Sequence, residues 1–138
     1  MTDPKVTLDR LRVLLVEDQP YMRQIIRQTL ERLGVRNVYE AEDGGEALKM
    51  TVRLRPDIVL CDVHMEPMSG VDYLAKLRVF KNDEIANTPV VFLTADAGEA
   101  TVMQGKKHRV NGYIVKPTSA GKLIENINRL LGPVIPSR

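Results

Sequence analysis

Four short apolar runs each end on a chemically useful polar residue: Val13–Val16 on Glu17 and Asp18, Ile58–Cys61 on Asp62, Val90–Leu93 on Thr94, and Tyr113–Val115 on Lys116. None alternates polar with apolar residues, so none reads as a strand with one wet face. Short continuous runs of Val, Ile and Leu are the pattern of parallel strands covered by helices on both sides. Ligands of such sheets bind beyond the carboxyl ends of the strands, where strand order reverses. Three carboxylates, a hydroxyl and an ammonium are therefore expected to converge at one sheet edge.

The segments between these runs have helical spacing, which makes the chain a strand and helix alternation with right-handed crossovers, in five units. The first helix is expected at about residues 20 to 33, with Pro20 in its first turn and Gly34 as its stop. Met22, Ile25, Ile26, Leu30 and Leu33 form its apolar face, and Arg23, Arg27 and Glu31 its opposite face. A strand is expected near Val35 to Tyr39. Asp43 and Glu46 then start a second helix that runs to about Leu54 in the manner of a capping box. Residues Val63 to Gly70 read as a loop and Val71 to about Phe80 as the third helix. Gly98 and Gly105 bracket a short fourth helix, Glu99 to Gln104, because each glycine inside a helix costs roughly 1 kcal/mol relative to alanine. The last helix is expected from about Ser119 to Leu131, and the tail Val134 to Arg138 is expected to fray.

At 138 residues, 43% hydrophobic and 28% charged, the chain has the size of one globular domain, and no separate output domain is expected. Twenty basic against eighteen acidic side chains give a net charge of +2, which supplies no electrostatic case for nucleic acid. One cysteine forms no intramolecular disulfide, and no apolar segment follows Met1-Thr2-Asp3-Pro4-Lys5, so a cytoplasmic protein is expected. No apolar stretch reaches membrane-spanning length, so no membrane insertion is expected.

Glu17, Asp18 and Asp62 brought together demand a cation, since two like charges ~4 Å apart repel by about 4 kcal/mol at an effective dielectric of 20. Hard oxygen ligands with water completing the shell suit Mg²⁺, and Lys116 adds a second positive charge. A carboxylate beside these cations is a competent nucleophile toward a phosphoryl group, which makes Asp62 a candidate aspartyl phosphate. Thr94, on the neighbouring strand, is placed to donate its hydroxyl to a phosphoryl oxygen. Taken singly, each residue has a plainer reading: Asp18 as a helix cap, Asp62 as a loop carboxylate, Thr94 as a cap, Lys116 as a solvated charge. Together those readings need four strand ends to coincide by accident.

Residues 11 to about 131 resemble the receiver domain of two-component response regulators, most closely the CheY-like single-domain chemotaxis type. The motifs are Val16-Glu17-Asp18, Ala41-Glu42-Asp43-Gly44, Asp57 to Asp62, Met65 with Met68 and Gly70, Leu93-Thr94-Ala95, and Gly112 to Pro117. The resemblance implies a flavodoxin-like doubly wound sheet of five parallel strands, order 2-1-3-4-5, with five helices. It divides the chain into an extension of residues 1–10, the receiver domain 11–131 and a tail 132–138. It further implies that Asp62 takes phosphate from a sensor histidine kinase, and that Asp18, Asp62 and the backbone carbonyl of His64 hold Mg²⁺, with Glu17 acting through water. Lys116 would pair with the phosphate, Thr94 and Tyr113 would form a coupled switch, and His64 and Asp96 would sit at the mouth of the site, where His64 either tunes phosphoryl lifetime with Asp96 or is simply exposed. The output would be a downstream protein target that binds the helix 4, strand 5 and helix 5 surface, or else a histidine phosphotransfer protein that receives the phosphate.

Three positions depart from the family pattern. Glu66 stands where proline is usual, and proline follows at Pro67. Thr118 replaces a common phenylalanine and is expected to cap the last helix. Arg109 falls where a glycine is usual, which points to a helix end at Gly105. Lys106, Lys107 and Arg109 read as a solvated loop or as a docking patch for an acidic partner. Cys61 and the methionines read as packing residues, and His64 has no second histidine or cysteine at metal-ligand spacing. Turnover of an outside substrate is not expected beyond self-phosphorylation and self-dephosphorylation. A haloacid-dehalogenase-like phosphatase needs an aspartate two residues after the nucleophile, where this chain has His64. A nucleotide or flavin carrier is disfavoured because neither Gly-x-x-x-x-Gly-Lys-Ser/Thr nor Gly-x-Gly-x-x-Gly is present.

Overall fold

The computed structural model describes residues 6–95 and 98–136. The apolar runs become strands β1 (Arg12–Val16), β3 (Ile58–Asp62), β4 (Val90–Thr94) and β5 (Gly112–Val115), joined by β2 (Asn37–Ala41). All pairings are parallel and the order is β2-β1-β3-β4-β5, as the resemblance implies. Strand alternation explains why the runs carry no polar residue. Val13, Leu15, Leu60 and Leu93 face one core, shared with Ile26, Leu30, Leu123 and Ile127. Leu14, Val59, Cys61 and Phe92 face a second core, shared with Tyr73, Leu74 and Leu77.

The expectation of five helices is corrected to six among the described residues: α1 (Pro20–Arg32), α2 (Gly44–Leu54), α3 (Gly70–Arg78), α4 (Asp83–Ala86), α5 (Glu99–Lys107) and α6 (Ala120–Leu131). The additional element is α4, which at four residues is too short to show periodicity. Its local chemistry is nonetheless present. The Asn82 side chain accepts from Ile85 N at 3.1 Å, Asp83 and Glu84 occupy the first turn, and Ile85 and Ala86 are buried.

Other boundaries move for identifiable reasons. β2 starts two residues later than Val35, because Gly34 N and Val35 N bond back to Glu31 O and Leu30 O and the chain spends these residues leaving α1. α5 does not stop at Gly105 but continues to Lys107. The chain then turns at Arg109, whose φ of 60° is left-handed, a conformation that costs a non-glycine residue roughly 1 kcal/mol. Arg78 offsets this cost. Its guanidinium donates to the carbonyls of His108, Arg109, Ala86 and Thr88 and to Asn111 Oδ1, at 2.7–3.1 Å, which engages all five of its N–H groups. Thr118 does not cap α6. Ser119 does, accepting from Lys122 N at 3.2 Å, whereas Thr118 Oγ1 is buried without a hydrogen-bond partner. The tail does not fray up to Pro136: Val134 and Ile135 are 6% and 2% exposed. Asn128 holds them through bonds of 2.7 and 2.9 Å to the carbonyl and amide of Ile135.

Candidate functional site

The registers Val16↔Ala41, Val16↔Cys61, Asp62↔Leu93 and Thr94↔Val115 bring Glu17, Asp62, Thr94 and Lys116 to one sheet edge, with Glu17 level with Asp62, Thr94 one residue beyond and Lys116 one residue beyond that. Asp18 follows directly, on the turn into α1. One oxygen from each of Glu17, Asp18 and Asp62 lies within 4.8 Å of the others. At that separation each like-charged pair still repels by about 3 kcal/mol at an effective dielectric of 20. Lys116 Nζ offsets part of this, 2.8 Å from Glu17 Oε1 and 3.4 Å from Asp62 Oδ1.

Burial divides the three carboxylates by role. Glu17 is fully buried, and its oxygens are taken by Lys116 and, at 3.3 Å, by the amide of Gln19. Asp62 is 7% exposed and Asp18 opens to solvent. The Asp18 carboxyl is held above its ordinary range by partial burial, then by its hydrogen bond to Glu17 and the charge of that neighbour. Lys116 is also raised: burial opposes its charge, but the Glu17 hydrogen bond and the Asp62 and Glu17 charges outweigh it. Three carboxylates against one ammonium leave negative charge uncompensated. An all-oxygen donor set with one member open to water fits Mg²⁺, which keeps part of its hydration shell.

The loop after β3 is shaped by close packing. A side chain at Gly70 would collide with the carbonyl oxygen of Asp62, and Gly70 N donates to Val63 O at 2.9 Å. Only glycine allows α3 to start so close to the candidate acceptor. The Glu66-Pro67 and Lys116-Pro117 bonds flanking the cluster are cis. His64 is exposed beside Asp62 and borders a hollow of about 380 Å³ between α3 and α5, lined also by Ser69, Val71 and Gln104. A larger hollow of about 840 Å³, between α1, α6 and the terminal segments, is lined by none of Glu17, Asp18 and Asp62. Asp96 lies outside the described residues.

Thr94 is buried at the end of β4, and its carbonyl accepts from Lys116 N at 2.8 Å. The register places Thr94 and Tyr113 on the same face of the sheet. Tyr113 donates its hydroxyl to Val102 O in α5 at 2.7 Å and meets Phe92 edge-on, centroids 6.0 Å apart. Burial raises its pKa. Cys61 is fully buried and burial pushes its thiol well up, so it packs and does not react. Lys106, Lys107 and Arg109 are exposed at the end of α5 and are not part of the acidic cluster. Two residues near the cluster escaped the sequence reading of the site. Gly70 carries only a motif signal, and Arg23, on the face opposite the apolar stripe of α1, reaches back to Glu17 O at 2.8 Å.

A parallel 2-1-3-4-5 sheet with an acidic triad and a lysine at its carboxyl edge defines a receiver-type phosphoacceptor site. Comparison with known proteins agrees: the response regulator receiver domain family matches residues 13–128, and the chain belongs to that family. It is 36% identical to the chemotaxis protein CheY-3 of Vibrio cholerae over 120 residues, 87% of this chain and 91% of the relative. It is likewise 36% identical to the chemotaxis protein CheY1 of Helicobacter pylori over 123 residues, 88% of this chain and 98% of the relative. The structure of chemotaxis protein CheY4 from Vibrio cholerae superposes with a TM-score of 0.80 at 30% identity, covering 88% and 98% of the two chains. The receiver domain of the sensor histidine kinase PA1611 from Pseudomonas aeruginosa, solved with a magnesium ion in its active-site cleft, gives 0.80 at 29% identity and the same coverage. Among the described residues no helix is long and apolar enough to cross a membrane.

Proposed function

We propose that Asp62 is the phosphoacceptor of a signalling receiver. The N–P bond of a phosphohistidine on a sensor histidine kinase breaks, an O–P bond forms at an Asp62 carboxylate oxygen, and the departing imidazole keeps the electron pair. The observation that supports this most directly is the triad of carboxylates within 4.8 Å, with Lys116 Nζ 3.4 Å from Asp62. Asp18, Asp62 and the backbone carbonyl of His64 would hold Mg²⁺, with Glu17, already paired to Lys116, acting through water. Bound Mg²⁺ supplies charge neutralisation on the phosphoryl oxygens. Lys116 contributes a second cation, and its Glu17 hydrogen bond aims the ammonium between the two buried carboxylates. Water attack on the aspartyl phosphate, tuned by His64 and Asp96, returns inorganic phosphate and free Asp62.

The added charge draws Thr94 toward the phosphoryl group and shifts Tyr113, which shares its sheet face, so the surface of α5, β5 and α6 changes its affinity for a protein partner. Exposed Met103, one turn before exposed Lys106 and Lys107 on α5, and exposed Arg109 and Val115 beyond it suit an acidic partner segment with apolar contacts. Neutralising those three basic residues is expected to weaken that partner without changing phosphorylation. A second reading, delivery of the phosphate to a histidine phosphotransfer protein, draws support from the likeness to a kinase-borne receiver domain. The deciding experiment is incubation with Mg²⁺ and a small acyl phosphate, read by intact mass. A phosphate adduct is expected in the wild type, and not after chelation or in Asp62→Asn; an adduct that persists in the variant refutes the assignment.

A further inference from the structure

The turn that carries Asp18 has few fastenings of its own. Gln19 at the N-cap of α1 makes no side-chain cap bond, Pro20 brings no N–H, and the first turn has no acidic residue. Its backbone is tied by Glu17 N to Ala41 O on β2 and by Arg23 N to Gln19 O, each at 3.0 Å, and two further fastenings come from the side chains of Glu17 and Arg23. Gln19 N donates to Glu17 Oε2 at 3.3 Å, and Arg23 Nη1 donates to the main-chain carbonyl of Glu17 at 2.8 Å. The second is the shorter and is charge-assisted. It grips the peptide plane that joins Glu17 to Asp18, and so the direction in which the Asp18 carboxylate leaves the backbone.

The guanidinium is itself held. Its Nε lies 2.8 Å from Glu40 Oε1, while the other Glu40 oxygen takes Arg27 Nη1 at 2.7 Å, and Arg27 also donates to Val38 O at 3.0 Å. The chain of contacts anchors the metal-bearing turn to β2, an ordered strand outside the site. The Arg23 side chain is only 14% exposed, so solvent screens the contact little. Repulsion between the carboxylates works against this placement of the exposed Asp18, and the grip on the Glu17 carbonyl opposes it alongside the hydrogen bond of Asp18 to Glu17.

We propose that Arg23 is a positioning residue for the divalent-cation site: through the Glu17 carbonyl it holds Asp18 within reach of Asp62. This rests on the reading of Glu17, Asp18 and Asp62 as the metal site. It opposes what simple electrostatics expects, because removing a nearby cation should by charge alone tighten Mg²⁺ binding. The sign of the effect therefore separates the two explanations.

The test is Mg²⁺ affinity of metal-free protein by titration calorimetry, with thermal melting alongside, for wild type, Arg23→Met, Arg23→Lys and Glu40→Gln. Arg23→Met is expected to weaken Mg²⁺ roughly 10-fold, the lower end for loss of an outer-shell partner. Arg23→Lys is expected to behave nearly as badly, since a single ammonium cannot hold Glu40 and the Glu17 carbonyl in the same fork. Glu40→Gln, which leaves the carbonyl bond but takes the charge from the partner of Nε, with Glu42 still 3.7 Å from the guanidinium, is expected to weaken binding by less than Arg23→Met does. Tyr73→Phe, which removes a buried hydroxyl pair with Thr51 remote from the turn, should lower the melting temperature without changing Mg²⁺ affinity. Equal or tighter binding by Arg23→Met, or by Arg23→Lys and Glu40→Gln if the methionine variant does not fold, overturns the proposal. A wild type that binds no Mg²⁺ overturns the reading of the metal site instead.

Discussion

Replacing Gly105 by alanine sets two effects of opposite sign against each other. Gly105 sits inside α5, where alanine is favoured over glycine by about 1 kcal/mol. A β-carbon there would collide with the Tyr113 hydroxyl, and would lie 2.9 Å from the ring Cζ and from Val110 Cγ1. The ring must leave. Its departure breaks the 2.7 Å bond to Val102 O, about 1 kcal/mol, and the edge contact with Phe92, about 1 kcal/mol more. The net expectation is a loss of about 1 kcal/mol, a fall in melting temperature on the order of 4 °C for a chain of this length. Urea unfolding gives the free energy, and fluorotyrosine NMR, with Tyr113 identified by its phenylalanine variant, reports whether the ring has moved to solvent. In a Tyr113→Ala background the same change should reverse sign and stabilise by about 1 kcal/mol, because the Val110 methyl can then move into the vacated ring volume. A single variant that is more stable than wild type, with Tyr113 still packed, would refute the reasoning.

Three further outcomes are expected. Gly70→Ala should displace the Asp62 carbonyl, cost about 2 kcal/mol by overpacking and slow phosphorylation by an acyl phosphate; an unchanged rate counts against the close approach as a determinant of the site. Arg78→Leu should remove the guanidinium donor from four carbonyls, leave Asn111 Oδ1 with the Val90 amide alone, and cost about 3 kcal/mol in urea unfolding, whereas a loss under about 1 kcal/mol would show that water replaces the guanidinium without penalty. Lys116→Met should leave the buried Glu17 carboxylate without its counter-ion and cost about 3 kcal/mol in metal-free buffer. Saturating Mg²⁺ should raise the melting temperature of that variant more than that of wild type, and equal shifts would contradict a shared electrostatic site.

The four apolar runs and their polar ends determined, without coordinates, the parallel sheet, the edge where Glu17, Asp18, Asp62, Thr94 and Lys116 meet, and the oxygen character of the cluster. Strand alternation and parallel register leave little freedom once both faces are apolar, so those conclusions are local in origin. Tertiary contacts decided the rest. Four residues suffice for α4 because Ile85 and Ala86 are buried and Arg78 takes the Ala86 carbonyl, a stabilisation no window of sequence displays. α5 carries a glycine in its interior because Tyr113, eight residues on, fills the space a side chain would need. Arg23 looked solvent-facing by helical spacing, yet Glu40 on a neighbouring strand and the Glu17 carbonyl turn it inward. Periodicity records which residues avoid water; which polar groups find each other depends on distances that only the folded chain sets.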